Sequence, residues 1–158
     1  MDQITARLAS QLTAQGLPAA QAFPQGAMPR LTAPRAAVML ESFRLVSGAF
    51  GDYLGMEEDP ERGPVERYGR TARGQVQIRI YAADAGGTCA AATVAVAALE
   101  DGIPGIAVEE IRLAEPVFDP VSNCFYRALT VLFSARYLAR RTEEDAGILR
   151  FILEGEVQ

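Results

Sequence analysis

The run "YAADAGGTC", Tyr81 to Cys89, is the place in this chain where residue types and spacing come nearest to doing chemistry. Strand-like sequence passes through a glycine pair into helix-like sequence, the layout of a phosphate cradle, and the run ends on a thiol. The stretch lacks the G-x-G-x-x-G spacing and has no lysine, so its ordinary reading is a strand-to-helix turn using glycine for positive φ. Near a helix N-terminus the Cys89 thiol could ionise more readily, yet no histidine exists to assist it, and a buried structural thiol is the simpler reading. All 15 basic residues are arginine, and histidine, lysine and tryptophan are absent. The chain therefore cannot build Ser-His-Asp or Cys-His catalysis, an imidazole metal ligand, a Schiff base or a P-loop.

The remaining charged clusters suit contact better than catalysis. Asp52, Glu57, Glu58, Asp59 and Glu61 could offer oxygen ligands to a divalent ion, but they miss the D-x-D-x-D-G loop spacing and read as a solvated acidic segment. Glu109 and Glu110 are strand neighbours on opposite faces and form a catalytic pair only if a bulge reorients them. Arg67, Arg70 and Arg73 recur every third residue, Arg79 follows, and Arg136, Arg140 and Arg141 close a later apolar run. These are solvated surface charges, or they meet acidic segments such as Glu57–Glu61 or Glu143–Asp145 of neighbouring copies, since the guanidinium fork binds carboxylates bidentately. The candidate oligomer interface is thus Arg67, Arg70, Arg73, Arg79, Glu57, Glu58, Asp59, Arg136, Arg140 and Arg141. No catalytic residue, metal ligand or cofactor site is assigned.

Composition sets the frame for these residues. A chain of 158 residues that is 49% hydrophobic can bury a core in one domain without disulfides or a metal. A formal charge of −5 and a pI near 4.8 argue against a dedicated, sequence-specific nucleic-acid binder. Cys89 and Cys124 show no C-x-x-C spacing and read as buried, reduced core thiols. The N-terminus "MDQITARLAS" lacks the basic and apolar regions of a signal peptide, and no apolar run approaches membrane-spanning length; a cytoplasmic protein without a membrane partner is expected.

Ile4, Leu8 and Leu12 form one stripe of an amphipathic helix that Gly16 and Pro18 stop. From Leu17 to Pro34, four prolines predict an extended connector, and "AAVMLESFRLV" then reads as a strand. Residues 47–64, rich in glycine and acid, form a long loop or protruding hairpin, the first candidate for a contact arm. In "ARGQVQIRIYA", Val76, Ile78 and Ile80 face a core while Arg73, Gln75, Gln77, Arg79 and Tyr81 face water or a partner. A helix over "DAGGTCAAATVAVAALEDG" uses Asp84 or Thr88 as N-cap and Gly102 as its stop, with Cys89, Val96 and Leu99 supplying bulk. "GIAVEEIRL" changes phase in its middle, which predicts a bulge at Glu109–Glu110.

After a turn at Asp119-Pro120 and Ser122-Asn123, the run "VSNCFYRALTVLFSARYLARR" fits either period. Its turn signal and β-branched and aromatic content favour a strand whose Tyr137–Arg141 end leaves the domain toward a neighbouring subunit. The expected architecture is α+β: a mostly antiparallel twisted sheet, an N-terminal and a central helix packed on one face, and the protruding 47–64 arm. Residues 1–141 form the domain, and 142–158 a linker with a C-terminal strand or arm.

Over about residues 1–139, this order resembles the small tail-terminator, or tail-completion, proteins of long-tailed phages and prophages. It is carried by the N-terminal helix, the proline-spaced connector into "AAVMLESFRLV", the glycine-rich arm, "GQVQIRIYA", the packed helix and the hairpin "IAVEEIRLAEPVFDPVSNCFYRALTVLFSARY". The ending "ILRFILEGEV" is additional to that pattern. The resemblance implies a non-enzymatic subunit of a homo-oligomeric ring, commonly a hexamer. Such a ring caps the tail tube, with a tail-tube protein and a head-completion or connector protein as partners. It also implies assembly in the bacterial host cytoplasm and residence in the virion tail. The alternatives are a head–tail connector or neck protein, a small α+β ligand-binding domain, and an enzyme using carboxylates, tyrosine or Cys89.

Overall fold

The computed structural model describes residues 2–23, 26, 31–47, 52–60, 63–141 and 149–153, with only the backbone described at some strand positions, including Glu57, Asp59, Arg140 and Arg141. The described elements run α1 (Asp2–Ala14), β1 (Ala19–Ala20), β2 (Arg35–Ser47), β3 (Tyr53–Asp59), β4 (Gly63–Ala82), α2 (Ala85–Glu100), β5 (Ile106–Leu113), β6 (Val117–Asp119), β7 (Cys124–Arg141) and β8 (Leu149–Leu153). They build the expected α+β fold. The strand order is β1-β2-β4-β7-β5, with β3 added to β4, and β6 and β8 added to β7. Every pairing is antiparallel except the short β1–β2 contact.

Helix α1 ends as its glycine requires. Gly16 sits at φ +86°, its N–H donates to Thr13, and the N–H of Leu17 donates to Leu12 at 2.9 Å. That pair of bonds closes the helix with two otherwise orphaned carbonyls satisfied, while Leu12 and Leu17 are both buried beside it. At the start of α2 the choice between caps falls to Asp84, whose Oδ1 accepts from the N–H of Gly87 at 2.7 Å. Gly102, at φ +90°, follows its end.

Both helices cover one face of the sheet. Ile4, Leu8 and Leu12 of α1 and Ala91, Ala92, Ala95, Ala98 and Leu99 of α2 join Val38, Val76, Ile78, Ile80, Leu129, Val131 and Phe133 in one core. The alanines let α2 approach the sheet closely, and Leu99 supplies bulk. Cys89 does not: it is half-exposed, which corrects its placement as buried core thiol. Arg7 and Gln11 then tie α1 across to α2's end, donating to the carbonyls of Pro104 (2.7 Å) and Ala98 (3.2 Å).

The long run is strand β7, 18 residues, paired with β4 from Gly69↔Leu138 to Ala82↔Phe125. Its Tyr137–Arg141 end, expected to leave the domain toward a neighbouring subunit, meets instead the expected C-terminal strand. It pairs with the chain's own β8, Tyr137↔Leu153 through Arg141↔Leu149, so one of its edges is hydrogen-bonded within the subunit, while on the other β4 reaches to Leu138. Residues 47–64 resolve into a hairpin in which β3 pairs with the first part of β4; within it, 48–51 and 61–62 lie outside the described residues, as does the linker at 142–148. The connector carries β1, and its Phe23 and Leu31 pack against Tyr81, Ala37 and Cys124 on the sheet's second face. Tyr81 is therefore 4% exposed rather than solvent-facing.

Two bulges shape the sheet. The predicted one falls between Val108 and Glu110, leaving Glu109 unpaired; a second, not anticipated, leaves out Glu41 between Leu40 and Ser42. The second explains Gly74, where a Cβ would stand 2.3 Å from the Ser42 carbonyl oxygen and 2.9 Å from the Phe133 ring. Gly74→Ala should cost about 1–3 kcal/mol, because backbone must shift to admit the methyl; urea unfolding monitored by circular dichroism measures it. Tyr137 stacks edge-on with Phe43 at 6.0 Å, and among the described residues its buried hydroxyl has no hydrogen-bond partner. Tyr137→Phe should leave stability unchanged or raise it by about 1 kcal/mol, since only a desolvation cost is removed; a clear loss in the same assay contradicts this.

Candidate functional site

In a strand, alternate residues share a face, so the β4 residues between the core positions define the face the helices leave uncovered. These are Arg73, Gln75, Gln77, Arg79 and Tyr81. Register places Arg44, Ser42, Met39, Ala37 and Arg35 beside them on β2, and Ser134, Leu132, Thr130, Ala128 and Tyr126 on β7. Glu110 and Arg112 extend two of these rows onto β5, and Arg136 stands beside Thr71 one row further on. Six arginines thus share the uncovered face: Arg35, Arg44, Arg73, Arg79, Arg112 and Arg136.

The bulges are responsible for part of this gathering. A bulge inserts one residue and so reverses which side chains face which way. Beyond Glu41, Arg44 changes from the helix-covered face to the open one. Sequence reading singled out Arg73, Arg79 and Arg136 but missed Arg35, Arg44 and Arg112. For Arg112 the signal was present, since the bulge at Glu109 was read from the phase change.

The two halves of this face differ electrostatically. Near the connector, Arg79 lies between the Phe23 ring (4.4 Å) and the Tyr126 ring (5.2 Å) and donates to Gln77 Oε1 at 2.7 Å. Burial raises the pKa of the neighbouring Tyr81 phenol, against the opposing influence of Arg79. Asp119 is held below the usual carboxylate range, chiefly by the Ser122 hydroxyl and then by the N–H of Val121. Arg112 donates to both oxygens of Glu110, at 2.6 and 3.1 Å, which lowers the Glu110 pKa. In the other half, Arg44 and Arg73 are direct cross-strand partners with Arg136 diagonal to Arg73, and among the described residues none of the three has an ion pair. A shallow depression of ≈ 370 Å³ lies there, lined by Arg44, Arg73, Gln75, Ser42 and Glu109 together with Phe43, Gly74, Leu132 and Phe133, and beside it the Gln75 amide donates to the Glu41 carboxylate.

The other candidate contact residues are dispersed. Arg67 continues the alternation of Arg73 toward the arm, whereas Arg70 falls in the opposite phase and its Nε pairs with Asp52 Oδ2 at 3.0 Å. Glu58 is exposed; Glu57 and Asp59 are placed by backbone only, opposite Val65 and Gly63, and Glu61 lies outside the described residues. Arg140 and Arg141 lie in β7 opposite Arg150 and Leu149, again by backbone only. Glu143–Asp145 lie outside the described residues.

Large apolar side chains are exposed at the arm. Tyr53, Met56 and Tyr68 are 38%, 62% and 43% exposed, and the two tyrosines stack at 5.6 Å. Leu45, also exposed, lies beside Ala72 on the face that the helices cover lower down. A second exposed group, Val117, Phe118 and Val121, marks the opposite end of the sheet.

The phosphate-cradle layout at 81–89 is a capped helix start: the Asp84 carboxylate already occupies the N–H of Gly87. Cys89 accepts from Arg127 Nη1 at 3.3 Å, and Arg127 Nε donates to the carbonyl of Ala114 at 2.6 Å. Cys124 is buried on the other side of the sheet, 3.1 Å from the Ser122 hydroxyl. Among the described residues no group of three or more Cys, Asp or Glu side chains is arranged to hold a metal ion, and no helix is long and apolar enough to cross a membrane. No family model matches the chain, and a search of curated proteins finds no match.

The two thiols lie on opposite sides of β7 and differ in access, which generates a test. With an aromatic disulfide reagent, Cys89 should react in the native protein and Cys124 only after denaturation, the native reaction vanishing in Cys89→Ala. Non-reducing electrophoresis of the oxidised monomer should show no intramolecular crosslink, because disulfide geometry needs Cα atoms within about 7 Å on facing sides.

Proposed function

We propose that this protein is a non-enzymatic assembly subunit that associates with copies of itself. By its resemblance to tail terminators, the assembly is a ring, commonly a hexamer, that caps a phage tail tube and presents a surface to a head-completion or connector protein. The observation that carries the reading is the arm. Strands β3 and β4 continue past the helices, which pack on β2, β4, β5 and β7, and expose Tyr53, Met56 and Tyr68 where a monomer would be expected to keep polar groups.

The second apolar group supports the same reading. From Tyr68 to Ala82, level with β6, β4 spans roughly 46 Å at about 3.3 Å per residue. The subunit therefore offers two dissimilar patches at two ends. Contacts between unlike patches are heterologous, and a heterologous contact that closes by rotation makes a ring. An arm that lies over another protein also explains a hairpin whose own subunit does not cover it.

Native mass spectrometry and sedimentation velocity test the proposal. Wild-type protein should form a ring-sized oligomer at micromolar concentration, or do so when the tail-tube protein of the same genome is added. Replacing Tyr53, Met56 and Tyr68 together by serine should weaken association by about tenfold or more while leaving the circular dichroism spectrum unchanged. A wild type that stays monomeric at high concentration, with and without the tube protein, overturns the reading.

A further inference from the structure

We propose that Arg44, Arg73 and Arg136 on the uncovered sheet face are the receptor for the acidic β3–β4 arm of a second copy. This rests on the self-association reading and names the contact that carries it. Arg44 and Arg73 are direct cross-strand partners. Like charges so placed have Cβ atoms about 5 Å apart and destabilise the sheet unless a counter-charge lies between them. Among the described residues none of the three has an ion pair, whereas Arg112 pairs with Glu110 and Arg79 lies over two rings; the Glu41 carboxylate at the bulge accepts from the Gln75 amide. Beside Arg44 and Arg73 lies a depression of ≈ 370 Å³ whose lining also includes Ser42, Gln75, Leu132, Phe133 and Glu109, and in which the Gln75 amide already donates to the Glu41 carboxylate. The guanidinium forks of Arg44 and Arg73 at this depression, with Arg136 diagonal to Arg73, suit carboxylates on an extended backbone.

The chain itself supplies such a backbone. Glu57, Glu58 and Asp59 are consecutive in β3, and Glu58 is exposed. They pair with Val65, Pro64 and Gly63 of the same strand that bears Arg73. Because β4 runs unbroken between them, the acidic run stands roughly 30 Å along the strand from its own arginines and cannot fold back onto them. The complementary charges are therefore satisfied between copies. Donor arm and acceptor face are different surfaces, as a heterologous contact requires. A nucleic-acid backbone is the weaker occupant, because a chain with net charge −5 repels a long polyanion.

The test is a charge swap in the full chain. Arg44→Glu with Arg73→Glu, or Glu57→Arg with Glu58→Arg and Asp59→Arg, should each weaken self-association by about tenfold or more in sedimentation velocity. Mixing the two charge variants should restore assembly, because reversed arm then meets reversed face. The milder Arg44→Gln with Arg73→Gln, checked for an unchanged unfolding midpoint, guards against a folding defect. Wild type should also dissociate as salt rises from about 50 to about 500 mM.

If wild type self-associates and every charge variant behaves like it, this contact is overturned while the assembly reading stands. If the mixture fails to recover, the pairing of these two segments is overturned. A wild type that never self-associates overturns both. Single-stranded DNA of about 20 nucleotides provides the remaining arm: binding by wild type that is lost in Arg44→Glu with Arg73→Glu reassigns the face to phosphate and overturns the acidic-arm assignment.

Discussion

The antiparallel pairing of β4 with β7 is the interaction on which everything else depends. From Gly69↔Leu138 to Ala82↔Phe125 it proceeds without a register shift, and it is flanked by β2 on one side and by β5, β6 and β8 on the other. A one-residue slip would exchange the two faces of either strand. Val76, Ile78 and Ile80 would leave the helices, and Arg73 and Arg79 would be driven under them, where an unpaired guanidinium cannot be accommodated. The core and the arginine face are thus two consequences of one register. Stability of the hydrophobic side fixes the geometry of the charged side, with no separate scaffold for it.

What could be read in advance follows from how local each determinant is. Helix α1 was legible because its stripe and its glycine stop lie within a few turns of one another. The Glu109 bulge was legible because the apolar phase changes inside one strand. The long run ending at Arg140 and Arg141 could not be assigned by period alone, and its strand character is settled by β4, which lies more than forty residues earlier in the chain. The burial of Tyr81 depends on Phe23 and Leu31 crossing over from the connector, a contact that no alternation within β4 announces. Nor does "MLESF" disclose that Glu41 is left out of the ladder. Without that bulge Arg44 would face the helices, so the arginine pair at its centre was invisible even though Arg73 was singled out.

The bulges bear on assembly in a second way. An exposed sheet edge is a template for another strand, and bulges with charged residues are a means of blocking it. Here β5, and β2 beyond the short β1 pairing at Ala36–Ala37, lie at the two edges of the sheet, and each carries a bulge that leaves a glutamate out of the ladder. The two lie at nearly the same height, since Ser42 and Glu110 are both in the row that contains Gln75 and Leu132. Joining β2 of one copy to β5 of another in level register would bring Glu41 toward Glu109, two like charges at a point where the ladder is already interrupted. Edge-to-edge extension is therefore disfavoured at both edges at once.

If the edges are closed to extension, a subunit that self-associates must use its faces and its arm. The helix-covered face is occupied in its lower part, which leaves the arm's apolar residues above and the arginine face behind. These differ in kind: Tyr53, Met56 and Tyr68 gain by leaving water, largely without regard to direction, whereas Arg44, Arg73 and Arg136 gain only from groups set at hydrogen-bonding distance and angle. An apolar patch alone would associate with many surfaces, and an arginine face alone would bind weakly at physiological salt. Combined on one subunit in the proposed assembly, the first would supply adhesion and the second would select which copy, and in which orientation, is held. That division of labour needs no histidine, no lysine and no metal, and it accounts for a chain whose charged chemistry consists of arginine forks and carboxylates.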